Sequence, residues 1–375
     1  RRGRMIWYNP FNRVLRTEIW PRQEEQLEAQ NNKTDVLVME LTPAEGVAES
    51  WSGLMTTWTS GVRDFSQSKF LEIWVRGTEG VLHVDLGTID EDWIENGELD
   101  TEDIPFPGRS TGDNQVSQEE DIGIDGRDDL AELAYYLVEA GVDTTALTVE
   151  QMQAQFVSLP EYAVRDVGDP EGDNWRYDSS RNRQDYSRIN GTQGNRDTES
   201  GIRPDTEDLN NDGILNRNND YYQHVIDLSD NGHVAGSESS QGWRLYRRPL
   251  FDGRVNRVGS PDSSRVEYGR IIFVSSSLPV EQTAVKVEIA QIEIIGNDWR
   301  EEDIQVLPGG MPLGENDEES FNVTVVGTDE SLTYKPPPGV KVRRLKRSRA
   351  REREQSLVIE YENLEAGHQV LATKV

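Results

Sequence analysis

The chain has 375 residues, enough for two or three domains or for one large sandwich with insertions. Its 69 acidic and 39 basic residues give a formal net charge of -30, which argues against a general nucleic-acid or anionic-membrane surface and fits a cation-rich exterior. The lack of cysteine excludes a disulfide framework, a thiolate metal site and a cysteine nucleophile. No apolar run approaches the ~18 residues of a membrane-spanning helix, so we expect none in this segment.

The first 34 residues form an N-terminal segment that contains Trp7, Tyr8, Phe11 and Trp20. This is more aromatic side chains than a free tail carries, so the segment is expected to dock on the domain that follows. The chain starts without a methionine or a signal peptide and ends in a strand-like run, and we interpret it as an internal piece of a longer protein.

A mainly β fold is predicted for residues 35–300. Strand-length apolar runs separated by Gly, Pro and Ser occupy 35–89 and return at 221–299, which is typical of an antiparallel jelly-roll sandwich of the galactose-binding-like kind. The helices come as a pair instead of one between each two strands, which disfavours a parallel α/β sheet. The apolar parity changes between Ile289 and Ile292, which predicts a bulge near Ala290 and Gln291.

The centre of the pattern is residues 70–89, FLEIWVRGTEGVLHVDLGTI. Apolar positions alternate with others on both sides of GTEG, which predicts a β-hairpin with one buried face. On this prediction Trp74 lies on the exposed face.

The sandwich is interrupted by an insertion, residues 90–220, that is rich in Asp, Gly and Asn. One helix is predicted around 130–140, with Asp128 or Asp129 as its cap and Gly141 at its end. A second is predicted from Thr148, which has capping-box spacing with Gln151.

Beyond the sandwich, residues 301–320 have the Pro and Gly content of a linker, and residues 321–375 resume strand alternation as a partial second β domain. The basic run at 341–354 is interpreted as a solvated segment and not as a nucleic-acid site, because it contains glutamates and the whole chain is acidic.

The insertion ends in DLNNDGILNRNN, residues 208–219, which has the spacing of a calcium-binding loop. Gly213 provides the turn, and the oxygen ligands would come from Asp208, Asn210, Asp212, the Ile214 carbonyl, Asn216 and Asn219. Because Asn219 stands where a bidentate glutamate is usual, we expect weak Ca²⁺ binding, with a Kd on the order of 10⁻⁴ to 10⁻³ M, as in extracellular modules. A plain Asp- and Asn-rich turn is the alternative.

The stretch EEDIGIDGRDD at 119–129 offers a second candidate metal site, made of Asp121, Asp125 and Asp128. The alternative interpretation is an acidic turn that caps the helix after it.

No catalytic motif stands out. The four histidines have no i, i+4 pairing, no GxSxG, HExxH or phosphate loop is present, and 69 carboxylates make a glycosidase pair uninformative, so we predict a non-enzymatic protein. Trp74 and Trp93 are candidate glycan contacts, and a carbohydrate-binding jelly-roll module of a secreted enzyme or adhesin is the alternative function. Aromatic residues of a sandwich are more often core or interface residues.

Several stretches together resemble the SprA family of gliding-motility and secretion proteins of Bacteroidota and related bacteria. They follow the family's order along nearly the whole chain: WYNP (7–10), WSGLM (51–55), DFSQSKFLEIWV (64–75), LGTIDEDWIENGELDTED (86–103), EDIGIDG (120–126), GDPEGDNW (168–175), NGTQGN (190–195), DTEDLNNDGILN (205–216), YYQHVIDLS (221–229), GWRLYRRPL (242–250) and PPPGV (336–340). The combination is specific although no single motif is.

The resemblance implies a non-catalytic module of a very large outer-membrane protein whose barrel forms the pore of the type IX secretion system, with a possible role in gliding. It implies a location at the cell outer membrane, exposed on the cell surface. The expected partners are the rest of the same protein, accessory secretion proteins and secreted cargo, with no nucleic acid. Calcium in the 208–219 loop would stabilise the module.

Overall fold

A computed structural model describes residues 2–20, 32–44, 49–58, 61–103, 112, 115–117, 120–160, 162, 165–178, 182–189, 195, 203–234, 237–251, 255–276, 284–296, 299–301, 304–310, 319–327, 334–335, 337–339 and 355–374. The basic run predicted at 341–354 lies outside these residues, as does most of the NGTQGN stretch at 190–195.

The chain is built mainly from strands. Ten of them form the two large sheets: β1 (Arg4–Tyr8), β4 (Leu37–Thr42), β5 (Glu49–Thr57), β6 (Phe70–Arg76), β7 (Val81–Thr88), β8 (Asp220–Asp227), β9 (Trp243–Pro249), β10 (Asn256–Val258), β11 (Tyr268–Ser276) and β12 (Val285–Ile295). The other elements are β2 (Val14–Leu15), α1 (Arg16–Ile19), β3 (Lys33–Thr34), α2 (Asp129–Glu139), α3 (Val149–Ser158), β13 (Trp299–Glu301), β14 (Gln305–Val306), β15 (Ser320–Gly327), β16 (Gln355–Glu362), β17 (His368–Gln369) and β18 (Ala372–Lys374).

Two five-stranded sheets pack face to face. Their strand orders are β1-β4-β12-β6-β9 and β10-β8-β7-β11-β5, and neighbouring strands run antiparallel. One apolar core joins them, with Ile73 of β6 and Val287 of β12 on one side and Val84 of β7 and Phe273 of β11 on the other. The prediction of a mainly β, antiparallel fold is confirmed, and the strand order is compatible with a jelly roll.

The predicted hairpin at 70–89 is wrong in its pairing. β6 pairs with β12 and β9, whereas β7 pairs with β11 and β8, so the two consecutive strands lie in different sheets. The GTEG connection therefore crosses from one sheet to the other as an arch. Regular alternation marks a strand with a buried face, but it is the same whether the next strand lies beside it or opposite it.

β6 is also buried on both faces, whereas the sequence predicted a hairpin with only one buried face. On its outer side Trp74 is 5% exposed and meets the edge of the Trp20 ring, with ring centroids 6.3 Å apart. Glu72 on the same side is buried and forms an ion pair with Arg247 of the neighbouring strand β9. The outer cover is a second apolar cluster that includes Ile19 from the N-terminal segment and Ile189 from the insertion.

The bulge predicted near Ala290 and Gln291 is confirmed. The register of β12 against β6 shifts between Ile289 and Gln291, so the two apolar sets of β12 have opposite parity within one continuous strand. A bulge adds one residue and thereby reverses which side chains face the core.

The two predicted helices are confirmed in the stretch between β7 and β8. Asp128 caps α2, since its side chain accepts a hydrogen bond from the Ala131 N–H at 2.8 Å. Thr148 and Gln151 form the capping box of α3. The helices bury a small core of their own, made of Leu133, Leu137, Met152 and Phe156.

Short strand pairs follow β12. β15 pairs with β16, β13 with β18, and β14, which lies within the predicted linker, with β17. The division into N-terminal segment, sandwich, linker and second domain stays a prediction. Among the described residues, no helix has both the length and the apolar character needed to cross a membrane.

The arch generates the first testable prediction. Gly80 has φ +87°, and a Cβ there would lie 2.6 Å from Phe273 Cε2 and 2.7 Å from the Val274 carbonyl oxygen. We expect Gly80→Ala to lower the free energy of unfolding by about 3 kcal/mol in urea denaturation, from backbone strain together with overpacking.

Gly61 is the matched control, because it has φ +72° while no atom of the described residues lies within 4 Å of an added Cβ. Gly61→Ala should cost about 1 kcal/mol, from backbone strain alone. Equal losses in the two variants would show that the close approach to Phe273 is unimportant.

Candidate functional site

The loop at 208–219, called here the return loop, leads from the insertion into β8, and its first half is a closed turn. The Asp208 carboxylate accepts hydrogen bonds from the N–H groups of Asp212 and Gly213, at 2.9 and 2.8 Å. Asn210 Oδ1 accepts from the Asp212 N–H at 3.0 Å, and Asp212 Oδ1 accepts from the Ile214 N–H at 2.9 Å. Short Asp and Asn side chains close turns in this way, because they reach main-chain donors close by in sequence. The structure thus brings Asp208, Asn210 and Asp212 together.

In the second half of the return loop, the predicted ligands Asn216 and Asn219 form hydrogen bonds to residues outside the loop. Asn216 donates through Nδ2 to Glu91 Oε2 at 3.0 Å and to the Tyr268 hydroxyl at 2.6 Å. Asn219 Oδ1 accepts from the Asp90 N–H at 3.2 Å. These two side chains therefore hold the loop to the end of β7 and the start of β11.

The donor chemistry of the first half fits a hard cation. Asp208 and Asp212 offer carboxylate oxygens, Asn210 offers an amide oxygen, and Ile214, whose side chain is 64% exposed, offers a main-chain carbonyl. Ca²⁺ takes about 6–8 oxygens, so water would have to complete the set. Asn216 and Asn219 are engaged with Glu91 and Asp90.

Glu91 anchors the return loop, and no sequence motif marks it as a functional residue. Its side chain is 2% exposed, and its carboxylate accepts from the N–H groups of Leu209 and Asn216, at 3.0 and 3.3 Å. The Glu91 N–H in turn donates to the Asn216 carbonyl at 2.8 Å. Burial raises the pKa of Glu91, although these hydrogen bonds oppose the shift. The partners lie more than a hundred residues apart, so no local pattern could reveal them.

Two more buried glutamates join the outgoing and returning arms of the insertion. Glu207 accepts from the N–H groups of Ile94 and Asp100, at 2.9 and 3.1 Å. Glu102 accepts from those of Gly123 and Asp205, at 3.0 and 2.6 Å. Burial, followed by the charge of Asp205, raises the pKa of Glu102. Each carboxylate thus replaces missing sheet hydrogen bonds between segments far apart in sequence.

A second group of acids, called here the acidic cluster, surrounds the N-terminus of α2. It consists of Asp125, Asp129, Glu132, Asp169, Glu171 and Asp173. One oxygen each of Asp129, Glu132 and Asp169 lie within 4.8 Å of one another, and so do those of Asp125, Glu171 and Asp173. Glu132 and Asp169 are buried. Burial, together with mutual repulsion, raises the pKa values of Glu132 and Asp173.

The predicted set Asp121, Asp125 and Asp128 does not converge into such a group. Asp121 accepts from the Trp175 N–H through both oxygens, at 2.9 and 3.0 Å, and burial raises its pKa to about 6. Asp128 is used as the cap of α2, and Asp125 pairs with Arg127. The acids that do meet are Asp125 from the predicted set, Asp129 and Glu132 from α2, and three acids of GDPEGDNW at 168–175, a stretch that stood out in the sequence only by its family resemblance.

The two candidate glycan contacts have different surroundings. Trp74 is buried beneath the N-terminal segment, so the expectation that it faces solvent is wrong, because Trp20 covers it from a distant part of the chain. Trp93 is 55% exposed, and the Arg2 guanidinium lies 4.6 Å from the centre of its ring. The Arg2 guanidinium also lies 5.1 Å from the centre of the Trp51 ring.

The comparisons with known proteins point to secretion. The SprA_N family model, described as motility related/secretion protein, matches residues 168–375, more than half of the chain. The match includes the loop at 168–175, the return loop and all strands from β8 onward. No curated protein matches the chain.

The anchoring of the return loop can be tested at Glu91. Glu91→Ala leaves the N–H groups of Leu209 and Asn216 without their acceptor, at a cost of about 1–3 kcal/mol for each buried donor. We expect faster hydrogen exchange at these two amides and at the amide of residue 91, which donates to the Asn216 carbonyl, and no change in the strands of the sandwich. The exposed Glu98→Ala serves as control. Unchanged exchange at Leu209 in Glu91→Ala would contradict the anchoring role.

Proposed function

The chain belongs to the motility related/secretion protein family, and from this membership we propose that it is a non-catalytic module of a very large outer-membrane translocon of type IX secretion, exposed on the cell surface. The proposal includes a role in gliding motility. The partners would be the rest of the same protein, accessory secretion proteins and secreted cargo. The family match over 168–375 is the observation that carries the proposal.

The hydrogen bonds of the buried glutamates support a non-catalytic role. Glu91, Glu102 and Glu207 all accept hydrogen bonds from main-chain N–H groups of distant segments. Carboxylates held in this way position the backbone, whereas a general acid or base must reach a substrate. Their arrangement favours a rigid support for the insertion.

The insertion is the surface that we propose for contact with partners. It leaves the sandwich at the end of β7, returns through the return loop, and carries the α2–α3 pair on a small core of its own. Because the two ends of the insertion are joined by Glu91 and Glu207, its position on the sandwich is fixed without a continuous sheet.

Calcium in the return loop is part of the proposal. Asp208, Asn210, Asp212 and the Ile214 carbonyl would be the ligands, and Asn216 and Asn219 would tie the loop to the sandwich. The bound ion would stabilise the junction at which the insertion rejoins β8. With few charged ligands the affinity would be weak, in the millimolar range typical of extracellular modules, roughly 10⁻⁴ to 10⁻³ M.

Calorimetric titration with Ca²⁺ tests the return loop. We expect Asp208→Ala and Asp212→Ala each to remove one weak binding event from the titration and to leave binding elsewhere in the chain unchanged, since each removes a charged ligand of the return loop. Asn218→Ala is the matched control, because Asn218 is exposed in the same loop and is not a ligand. If both aspartate variants retain the binding heat of the unchanged chain, the return loop is an ordinary turn.

Location can be tested by labelling, because these 375 residues contain no cysteine and the full-length protein without the substitution gives the background label. Ala146 is exposed between α2 and α3. With Ala146→Cys in the full-length protein, we expect a membrane-impermeant maleimide to label this position on intact bacteria. Ser237→Cys, at a position 1% exposed, should react only after denaturation. Labelling of Ala146→Cys only after cell lysis would contradict surface exposure.

Carbohydrate binding remains the second candidate, because Trp93 and Trp51 are both exposed beside Arg2. Exposed aromatic rings are the surfaces on which sugar rings stack. Binding on a glycan array that is lost in Trp93→Ala would favour this function over the translocon module.

A further inference from the structure

Glu132 stands out in the acidic cluster because its charge is buried and incompletely satisfied. It lies in the first turn of α2 and has no exposed surface. Its Oε2 accepts from the Glu171 N–H at 3.0 Å. Its Oε1 is buried and accepts from no N–H group of the described residues, while the carboxyl group of Asp173 lies within hydrogen-bonding reach of Glu132. A buried carboxylate oxygen without a partner is costly, so either a proton shared with Asp173 or a cation stabilises the fold at this point.

The two acids beside Glu132 have open coordination capacity. Asp129 Oδ1 accepts from Asn174 Nδ2 at 2.7 Å. Asp169 Oδ1 accepts from the Asp173 N–H at 3.0 Å, and its Oδ2 accepts from Arg188 Nη1 at 2.9 Å. A carboxylate has about four lone-pair sites, so these bonds leave room for a further ligand on each side chain.

The nearby arginines do not balance the charge. Arg127 pairs with Asp125, and Arg188 pairs with Asp169 and with Asp166 outside the cluster. Arg165 lies over the ring of Tyr136 and donates to the Pro170 carbonyl. A fourth arginine, Arg4, donates to the Gly172 carbonyl at 3.4 Å. Four arginines therefore lie near six cluster carboxylates, and Glu132 has no ion pair among the described residues.

We propose that Asp129, Glu132 and Asp169 bind one hard divalent cation of the Ca²⁺ class. Three carboxylates within 4.8 Å of one another, with no sulfur or imidazole donor among them, are the ligand chemistry that Ca²⁺ prefers over softer metals. The ion supplies the missing partner of Glu132 Oε1. It is a different site from the return loop and shares no residue with it.

The cation would join two parts of the insertion. Asp129 and Glu132 belong to α2, whereas Asp169 belongs to the loop at 168–175, which already returns hydrogen bonds to both acids. Binding therefore clamps the loop on the N-terminus of α2 and orients the α2–α3 pair. The ion provides the positive charge that neutralises the three carboxylates. The N-terminal end of the α2 dipole is also positive and stabilises the same carboxylates.

Calorimetric and thermal titrations with Ca²⁺, repeated with Mg²⁺, test this site on the full chain carrying Asp208→Ala and Asp212→Ala, so that the return loop does not contribute. In that background we expect Ca²⁺ to bind and to raise the Tm. Glu132→Gln and Asp129→Asn should each weaken binding at least ten-fold. Glu139→Gln, exposed at the other end of the same helix, is the matched control and should bind as before.

Tm values measured in the presence of a chelator show whether Glu132→Gln has only lost a metal ligand or has also damaged the fold. Without cation, Glu132→Gln should have a higher Tm than the parent chain, because it removes an uncompensated buried charge. Ca²⁺ should then raise the Tm of the parent and leave that of Glu132→Gln unchanged. Equal Ca²⁺ responses in the two would overturn the proposal. So would no response in either, which would mean that Glu132 is held protonated against Asp173.

Discussion

The hydrogen bonds accepted by Glu91 are the interaction on which the rest of the molecule depends. They join Glu91, three residues beyond the end of β7, to the loop before β8, across an interval of more than a hundred residues. This contact fixes the two ends of the insertion to each other, in addition to the packing of Ile189 on the outer face of the sandwich. A buried carboxylate can do this because it accepts several main-chain N–H groups at once and so replaces sheet hydrogen bonds where no sheet exists.

The sandwich provides the rigid body to which the insertion is attached. Its two sheets are linked by the arch between β6 and β7, and both strands are internal in their sheets. Because β6 is covered on its outer side by Trp20 and Ile189, the N-terminal segment and the insertion are packed on the same sheet. The N-terminal segment and the insertion therefore stabilise each other by packing on the same strand, β6.

The acidic composition has a structural use in this chain. Many of the carboxylates inside the insertion accept from main-chain donors or cap helices, as Glu207, Glu102 and Asp128 do. The acidic cluster goes further, because its charges exceed those of the nearby arginines. Both candidate cation sites thus lie in the insertion, where a strand framework is missing and where ions would add cross-links. A cation-rich exterior would suit such a chain.

The sequence by itself determined what depends on neighbours a few residues away. The caps at Asp128 and Thr148, the bulge beside Gln291 and the mainly β, antiparallel fold all follow from local spacing and parity. The family was recognisable from the resemblance of several stretches taken together. Only the tertiary structure decided which strands pair, that Trp74 is covered by Trp20, and that Glu132 meets Asp169. The physical reason is that alternation and turn chemistry are short-range signals, whereas sheet membership, burial and the meeting of charges depend on contacts between residues far apart in the chain.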